Sequence, residues 1–175
     1  MKKYFLACII AIAVTSSLQA QYAFFVSGHG NFNIPVNQRF TQVYQNGVGY
    51  SLSLGLKSYW PGSFIVGTVG RQSYAQAPDI KNQYTSGNLS MTTLQIGVRQ
   101  VTYVKNLFFV ANAGTGMAQN TVGGKLSELR FVADAGAGYT MGKFETIAGI
   151  NYIDSKGFRP AGIMFMLKTG FRFGF

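Results

Sequence analysis

The chain has 175 residues and a formal net charge of +10, yet only 11% of it is charged, while 15% is aromatic and 47% hydrophobic. About a quarter of an ordinary soluble domain is charged, so this chain is poorly equipped for a water-facing exterior, and its length suits one domain. No run after residue 20 approaches 18 apolar residues, which excludes a transmembrane helix and leaves a closed barrel as the form that satisfies every backbone group in lipid.

Residues 1–20 read as a signal peptide. Lys2 and Lys3 precede the apolar run Tyr4–Val14, and Thr15–Ala20 follows as a polar stretch ending in small residues. Charge, apolar core and small-residue cleavage site come in the order of a secretory signal. The run is too short for a bilayer, which takes about 20 residues. Cleavage is expected after Ala20, leaving residues 21–175 as one domain. Cys8 lies inside the apolar core rather than after it, so lipidation is not expected. The remaining domain then has no cysteine, hence no disulfide and no thiolate metal site.

From there the chain reads as eight strands. Tyr22–Gly30 is the first. In the second, Val48, Tyr50, Leu52, Leu54 and Leu56 alternate with Gly49, Ser51, Ser53, Gly55 and Lys57, which puts the two sets on opposite faces. Ser63–Gln72 is the third. Leu94, Ile96 and Val98 alternate with Gln95, Gly97 and Arg99 in the fourth, and Leu107–Gly116 is the fifth. In the sixth, Leu129, Phe131, Ala133, Ala135, Ala137 and Tyr139 alternate with Glu128, Arg130, Val132, Asp134, Gly136 and Gly138. Lys143–Ile153 is the seventh. In the eighth, Ile163, Phe165, Leu167, Phe171, Phe173 and Phe175 share one parity, opposite Met164, Met166, Lys168, Gly170, Arg172 and Gly174.

The connections alternate in length. Asn31–Gly47, Ser73–Ser90, Met117–Ser127 and Asp154–Pro160 are long and polar; Ser58–Gly62, Thr102–Asn106 and Thr140–Gly142 are short. An even strand number with short turns at one end and long loops at the other is the wiring of an outer-membrane barrel. The expected fold is all-β: an eight-stranded antiparallel up-and-down transmembrane β-barrel.

Charge decides which face points inward. Lys57, Arg99, Glu128, Arg130, Asp134, Lys168 and Arg172 share the parity of the small residues, and Arg71 and Glu145 are expected to join them. A lipid-facing Lys or Arg at the midplane costs about 2–4 kcal/mol, so all nine are placed in the lumen as a charge network. An eight-stranded barrel has an interior just wide enough for side chains to fill. This argues for paired ions rather than a large pore, so the chain is porin-like only in architecture. Tyr59, Trp60, Tyr103, Tyr139 and Phe144 fall at the short turns, beside Lys105 and Lys143, and read as an aromatic girdle at headgroup level.

Leu167, Phe171, Phe173 and Phe175 alternate up to a terminal phenylalanine. This resembles the assembly signal that the barrel assembly machinery reads on the last strand. With that ending, residues 21–175 resemble the small eight-stranded outer-membrane β-barrel domain family. The resemblance implies the cell outer membrane of a Gram-negative envelope, outer-membrane lipid as surroundings, and a monomer. It implies no single activity, because one fold hosts many functions.

The leading reading is a non-enzymatic outer-membrane barrel with a structural or surface-interaction role carried by its loops. One alternative is a lipid-modifying enzyme. His29 is the only histidine, and Asp154-Ser155 opens the last loop, so a nucleophile, base and orienter are present in composition. Another is a soluble, lipocalin-like ligand-binding barrel with its faces inverted. One histidine without cysteine cannot supply a typical zinc set, and no cofactor is expected. Basic residues divide between lumen and loops rather than forming a nucleic-acid patch. Arg39, Lys81, Lys125, Lys156 and Arg159, on the loops, either pair with lipopolysaccharide phosphates or are simply solvated.

Overall fold

The computed structural model describes residues 23–77, 87–120, 128–155 and 161–175. The expected signal peptide, Lys81, Lys125, Lys156 and Arg159 lie outside them. Eight strands follow in order: β1 (Phe24–Pro35), β2 (Tyr44–Lys57), β3 (Ser63–Gln76), β4 (Leu89–Val101), β5 (Leu107–Asn120), β6 (Glu128–Met141), β7 (Phe144–Ile153) and β8 (Gly162–Gly174). Each pairs antiparallel with the next, and β1 pairs with β8 to close the barrel. Among the described residues no helix is long and apolar enough to cross a membrane.

Several strands reach further than the sequence reading placed them. β1 continues five residues beyond Gly30, β3 runs on through Gln76, and β5 through Asn120. The cause is visible in β1, where Asn31 and Asn33 are buried in the lumen while Phe32 and Ile34 face out. Asparagines that look like loop in sequence are lumen lining in the fold. The first loop therefore shrinks to residues 36–43 and holds a short helix, α1 (Gln38–Thr41). The third tight turn is Gly142-Lys143, one residue later than expected, with Gly142 at φ +64°, where glycine is favoured.

The faces sort by chemistry. Leu52, Leu54, Ile65, Leu94, Ile96, Phe165, Leu167 and Phe171 are exposed on the outside. Ser51, Thr68, Gln95, Arg99, Asn112, Arg130, Asp134, Glu145 and Lys168 are buried inside. An apolar exterior around a polar interior is the arrangement of a membrane barrel and the inverse of a soluble one.

At the loop end the lumen turns apolar. Phe40, Tyr44, Tyr74, Leu89, Met91, Val132, Ile153 and Met164 form one buried cluster. α1 delivers Phe40 into it, against Tyr44 at 5.0 Å and Tyr74 at 5.5 Å. Asn37 ties this loop to the barrel rim: its Nδ2 donates to Ala161 O, and its Oδ1 accepts from Ile163 N. The loop is thus a plug rather than a free tip.

Candidate functional site

The buried charge of the lumen centres on Glu145, the second residue of β7, placed there by the tight Gly142-Lys143 turn. Glu145 lies opposite Gly170 of β8, and Gly170 lies opposite His29 of β1. Because the middle residue has no side chain, the outer two meet across it. His29 Nε2 donates to Glu145 Oε1 at 2.8 Å. Glu145 Oε2 faces Arg99 Nη1 at 2.9 Å and Arg172 Nε at 3.4 Å. These two are ion pairs lying off the hydrogen-bonding direction. Three basic side chains therefore converge on one fully buried carboxylate, as a buried charge requires. The Arg99 guanidinium also lies 3.5 Å from the ring centre of Phe108 and 5.0 Å from that of Phe25, a favourable cation–π arrangement.

A second pair lies elsewhere in the lumen. Lys168 Nζ donates to Asp134 Oδ2 at 3.1 Å, and Asn112 Nδ2 donates to Asp134 Oδ1 at 2.8 Å. Towards the loops, Arg130 reaches the half-buried Glu128 at 3.4 Å and the carbonyl of Asp154 at 3.3 Å.

A cavity of about 20 Å³ remains among Ser27, His29, Thr68, Arg99, Asn112 and Glu145. That is room for about one water molecule. Among the described residues, the ion pairs and two aromatic rings flank this space on the turn side and the Phe40 cluster on the loop side. Among the described residues, no group of three His, Cys, Asp or Glu could hold a metal ion.

Of the nine charges placed in the lumen by sequence, Arg99, Arg130, Asp134, Glu145 and Lys168 are buried there, and Glu128 and Arg172 are half-buried. Lys57 is exposed where β2 meets its turn. Arg71 is a correction. It has the outward parity of Ile65 and Val69, is exposed, and its Nε donates to Ser90 Oγ at 3.3 Å. It sits towards the loop end of β3, where the cost of an outward basic residue falls towards zero.

The triad candidates do not come together. His29 is committed to Glu145, and Asp154 lies nine positions beyond Glu145, just past the end of β7. At about 3.3 Å per residue that is roughly 30 Å along the strand. Asp154 Oδ1 instead accepts from Tyr152 Oη at 3.3 Å and from Ser155 N at 2.7 Å.

Sequence reasoning missed the aromatic floor and the plug. Phe25 lies directly opposite Gly55, and Phe108 directly opposite Gly138. A side chain on either glycine would collide with the ring. A readable signal existed: once the hairpin register is drawn, each of these two rings has a glycine for its cross-strand neighbour. Of the expected assembly residues, Leu167, Phe171 and Phe173 face outward, and Phe175 stacks on Phe24 at 5.2 Å between ring centres.

No family model matches the chain, and no curated protein matches it in sequence. Solved structures do match in shape. The crystal structure of Ail, the attachment invasion locus protein of Yersinia pestis, aligns with a TM-score of 0.61 at 14% identity, over 87% of this chain and all of Ail. The backbone structure of the same outer membrane protein in a phospholipid bilayer nanodisc aligns at 0.58 and 14% identity, over 86% of this chain and 99% of that one. The chain has the fold of the small eight-stranded outer-membrane barrels. With its apolar exterior, that fold is one of the cell outer membrane.

Proposed function

We propose that this protein is a non-enzymatic barrel of a Gram-negative outer membrane, structural or surface-contacting, whose working surface is its loops. The carrying observation is the filled lumen: the buried charges are consumed by one another, the cavity has room for about one water, and the loop-end mouth is occupied by Phe40. Among the described residues the interior is filled and the triad candidates lie apart, which supports a role for the outer loops in contact. Its surroundings are outer-membrane lipid, with lipopolysaccharide phosphates available to loop cations such as the exposed Arg39. Insertion would run through the barrel assembly machinery, and the barrel stands as a monomer. The name of the Yersinia protein, attachment invasion locus, supports a contact role for a barrel of this shape.

The test is fractionation of cells, followed by electrophoresis of the outer-membrane fraction with and without boiling. A heat-dependent mobility shift is expected. A soluble fraction without a shift would overturn the reading. For the absence of catalysis, His29→Ala is expected to leave the lipid A profile of the cell unchanged. A changed profile would restore the lipid-modifying enzyme.

A further inference from the structure

The turn end of the barrel carries a charge pattern that the closed lumen does not use. Lys57 borders the first turn, Lys105 lies in the second and Lys143 in the third, and all three are exposed. Arg172, half-buried on β8 at the same end, is engaged with Glu145 at 3.4 Å and is not counted with them. Among the described residues, the acidic side chain in this half is Glu145, which is fully buried and already paired. Glu128 and Asp154 sit at the loop end, and Asp134 lies in the lumen. Among the described residues, the exposed charged side chains of this rim are therefore basic.

Two features choose the partner. First, each lysine sits beside exposed aromatic residues: Tyr59 and Trp60 at the first turn, Tyr103 at the second, Tyr139 at the third. Lys143 Nζ lies 5.5 Å from the ring centre of Phe173. Tyr and Trp settle at the headgroup level of a bilayer, so the ammonium groups share that level. Second, the lysines are spread around the circumference. Successive turns are two strands apart, about 10 Å along the sheet. A single compact ligand or a protein partner would call for one contiguous patch, whereas a surrounding leaflet meets a ring.

We propose that this rim is a docking surface for the anionic headgroups of the phospholipid leaflet on the turn side of the membrane. The proposal rests on the outer-membrane reading above. Lys57, Lys105 and Lys143 supply the charge, and Trp60 and Tyr103 hold the depth. Clustered lysines beside an anionic membrane surface attract it, each by an amount equal to about a fivefold preference.

Trp60 is the only tryptophan of the chain and lies on this rim, so its fluorescence reports the lipid beside it. Protein extracted from outer membranes is reconstituted into phosphatidylcholine vesicles containing brominated phosphatidylglycerol or, in parallel, brominated phosphatidylcholine. The brominated anionic lipid is expected to quench Trp60 with an apparent affinity at least about fivefold higher, the share of a single lysine. The preference should collapse in about 1 M salt, where the screening length is about 3 Å. It should also vanish in the triple variant Lys57→Gln, Lys105→Gln, Lys143→Gln and survive in the corresponding triple arginine variant. Equal quenching by both lipids, or a preference untouched by salt and by the glutamine variant, would overturn the proposal. Mobility on gels with and without boiling is read on the same vesicles. A retained shift with equal quenching defeats the lipid proposal alone, while a missing shift in the wild-type protein defeats the membrane-barrel reading beneath it.

Discussion

His29 and Glu145, 116 positions apart in sequence, meet at 2.8 Å across Gly170. The three residues form one row across β1, β8 and β7, and the empty middle position makes the contact possible. Gly170 serves the seam in a second way. A Cβ there would lie 1.8 Å from the carbonyl oxygen of Gly28 and 2.7 Å from the Cα of His29. Those atoms belong to the backbone of the partner strand and cannot swing aside.

Gly170→Ala is therefore expected to open the β1–β8 seam and destabilise the barrel, by about the 1–3 kcal/mol typical of overpacking. Gly67→Ala is the control, because a Cβ at Gly67 meets nothing within 4 Å. Denaturant unfolding of both variants in the same bilayer gives the comparison. Equal midpoints would show that the seam tolerates a methyl group and that the row needs another explanation.

Removing the carboxylate itself should cost more. Glu145→Ala leaves His29, Arg99 and Arg172 facing one another around a fully buried gap. Breaking one partner of a buried ionic set typically costs about 3–5 kcal/mol, a large part of a stability that is commonly about 5–15 kcal/mol. The expected result is a lower mobility-shift temperature for Glu145→Ala, and recovery of part of the loss when Arg172→Met is added. If the double variant is no more stable than the single, repulsion among the cations is not the cause.

The architecture was legible because this fold is written in period 2. The parity of Leu52, Leu54 and Leu56 against Ser51, Ser53 and Gly55 fixes β2 without any tertiary knowledge, and charge on one parity fixes which side is lumen. Two kinds of information were not legible. Arg71 lies on a strand whose start, Phe64-Ile65-Val66, is apolar on both faces; in the fold Ile65 is out, while Phe64 turns in against Phe25 at 5.3 Å. A sequence rule that sends every arginine inward fails where the strand nears the interface. The meeting of His29 with Glu145, and the entry of Phe40 into the mouth, depend on register across the closing seam and on the path of a loop, neither of which periodicity encodes.

The outward placement of Arg71 has a direct consequence. Arg71→Leu should leave the barrel as stable as before or stabilise it, since a leucine extends the apolar surface of Ile65 and Val69. Arg99→Leu, at 4% exposure and paired with Glu145, should destabilise it. Unfolding midpoints of the two variants in one lipid decide the matter. A strong loss at Arg71 would mean that its side chain contributes to the lumen after all.

The closed interior can be tested electrically. Two barriers lie in series: the Phe40 cluster at the loop end, and the Phe25 and Phe108 rings with Arg99 between them on the turn side. Between them the cavity of about 20 Å³ has room for about one water, which is not a continuous path for a hydrated ion. Wild-type protein in a planar bilayer should show no stable conductance steps. Phe40→Ala should lose core packing worth about 3–5 kcal/mol, felt first as easier proteolysis of residues 36–43, where the loop is tied down by Asn37. It should still not conduct, because the turn-side barrier is intact. Conductance steps in the wild-type protein would overturn the closed lumen and return a pore to the candidate functions. Steps that appear only in Phe40→Ala would show that the plug is the single barrier and that the rings of Phe25 and Phe108 yield to ions.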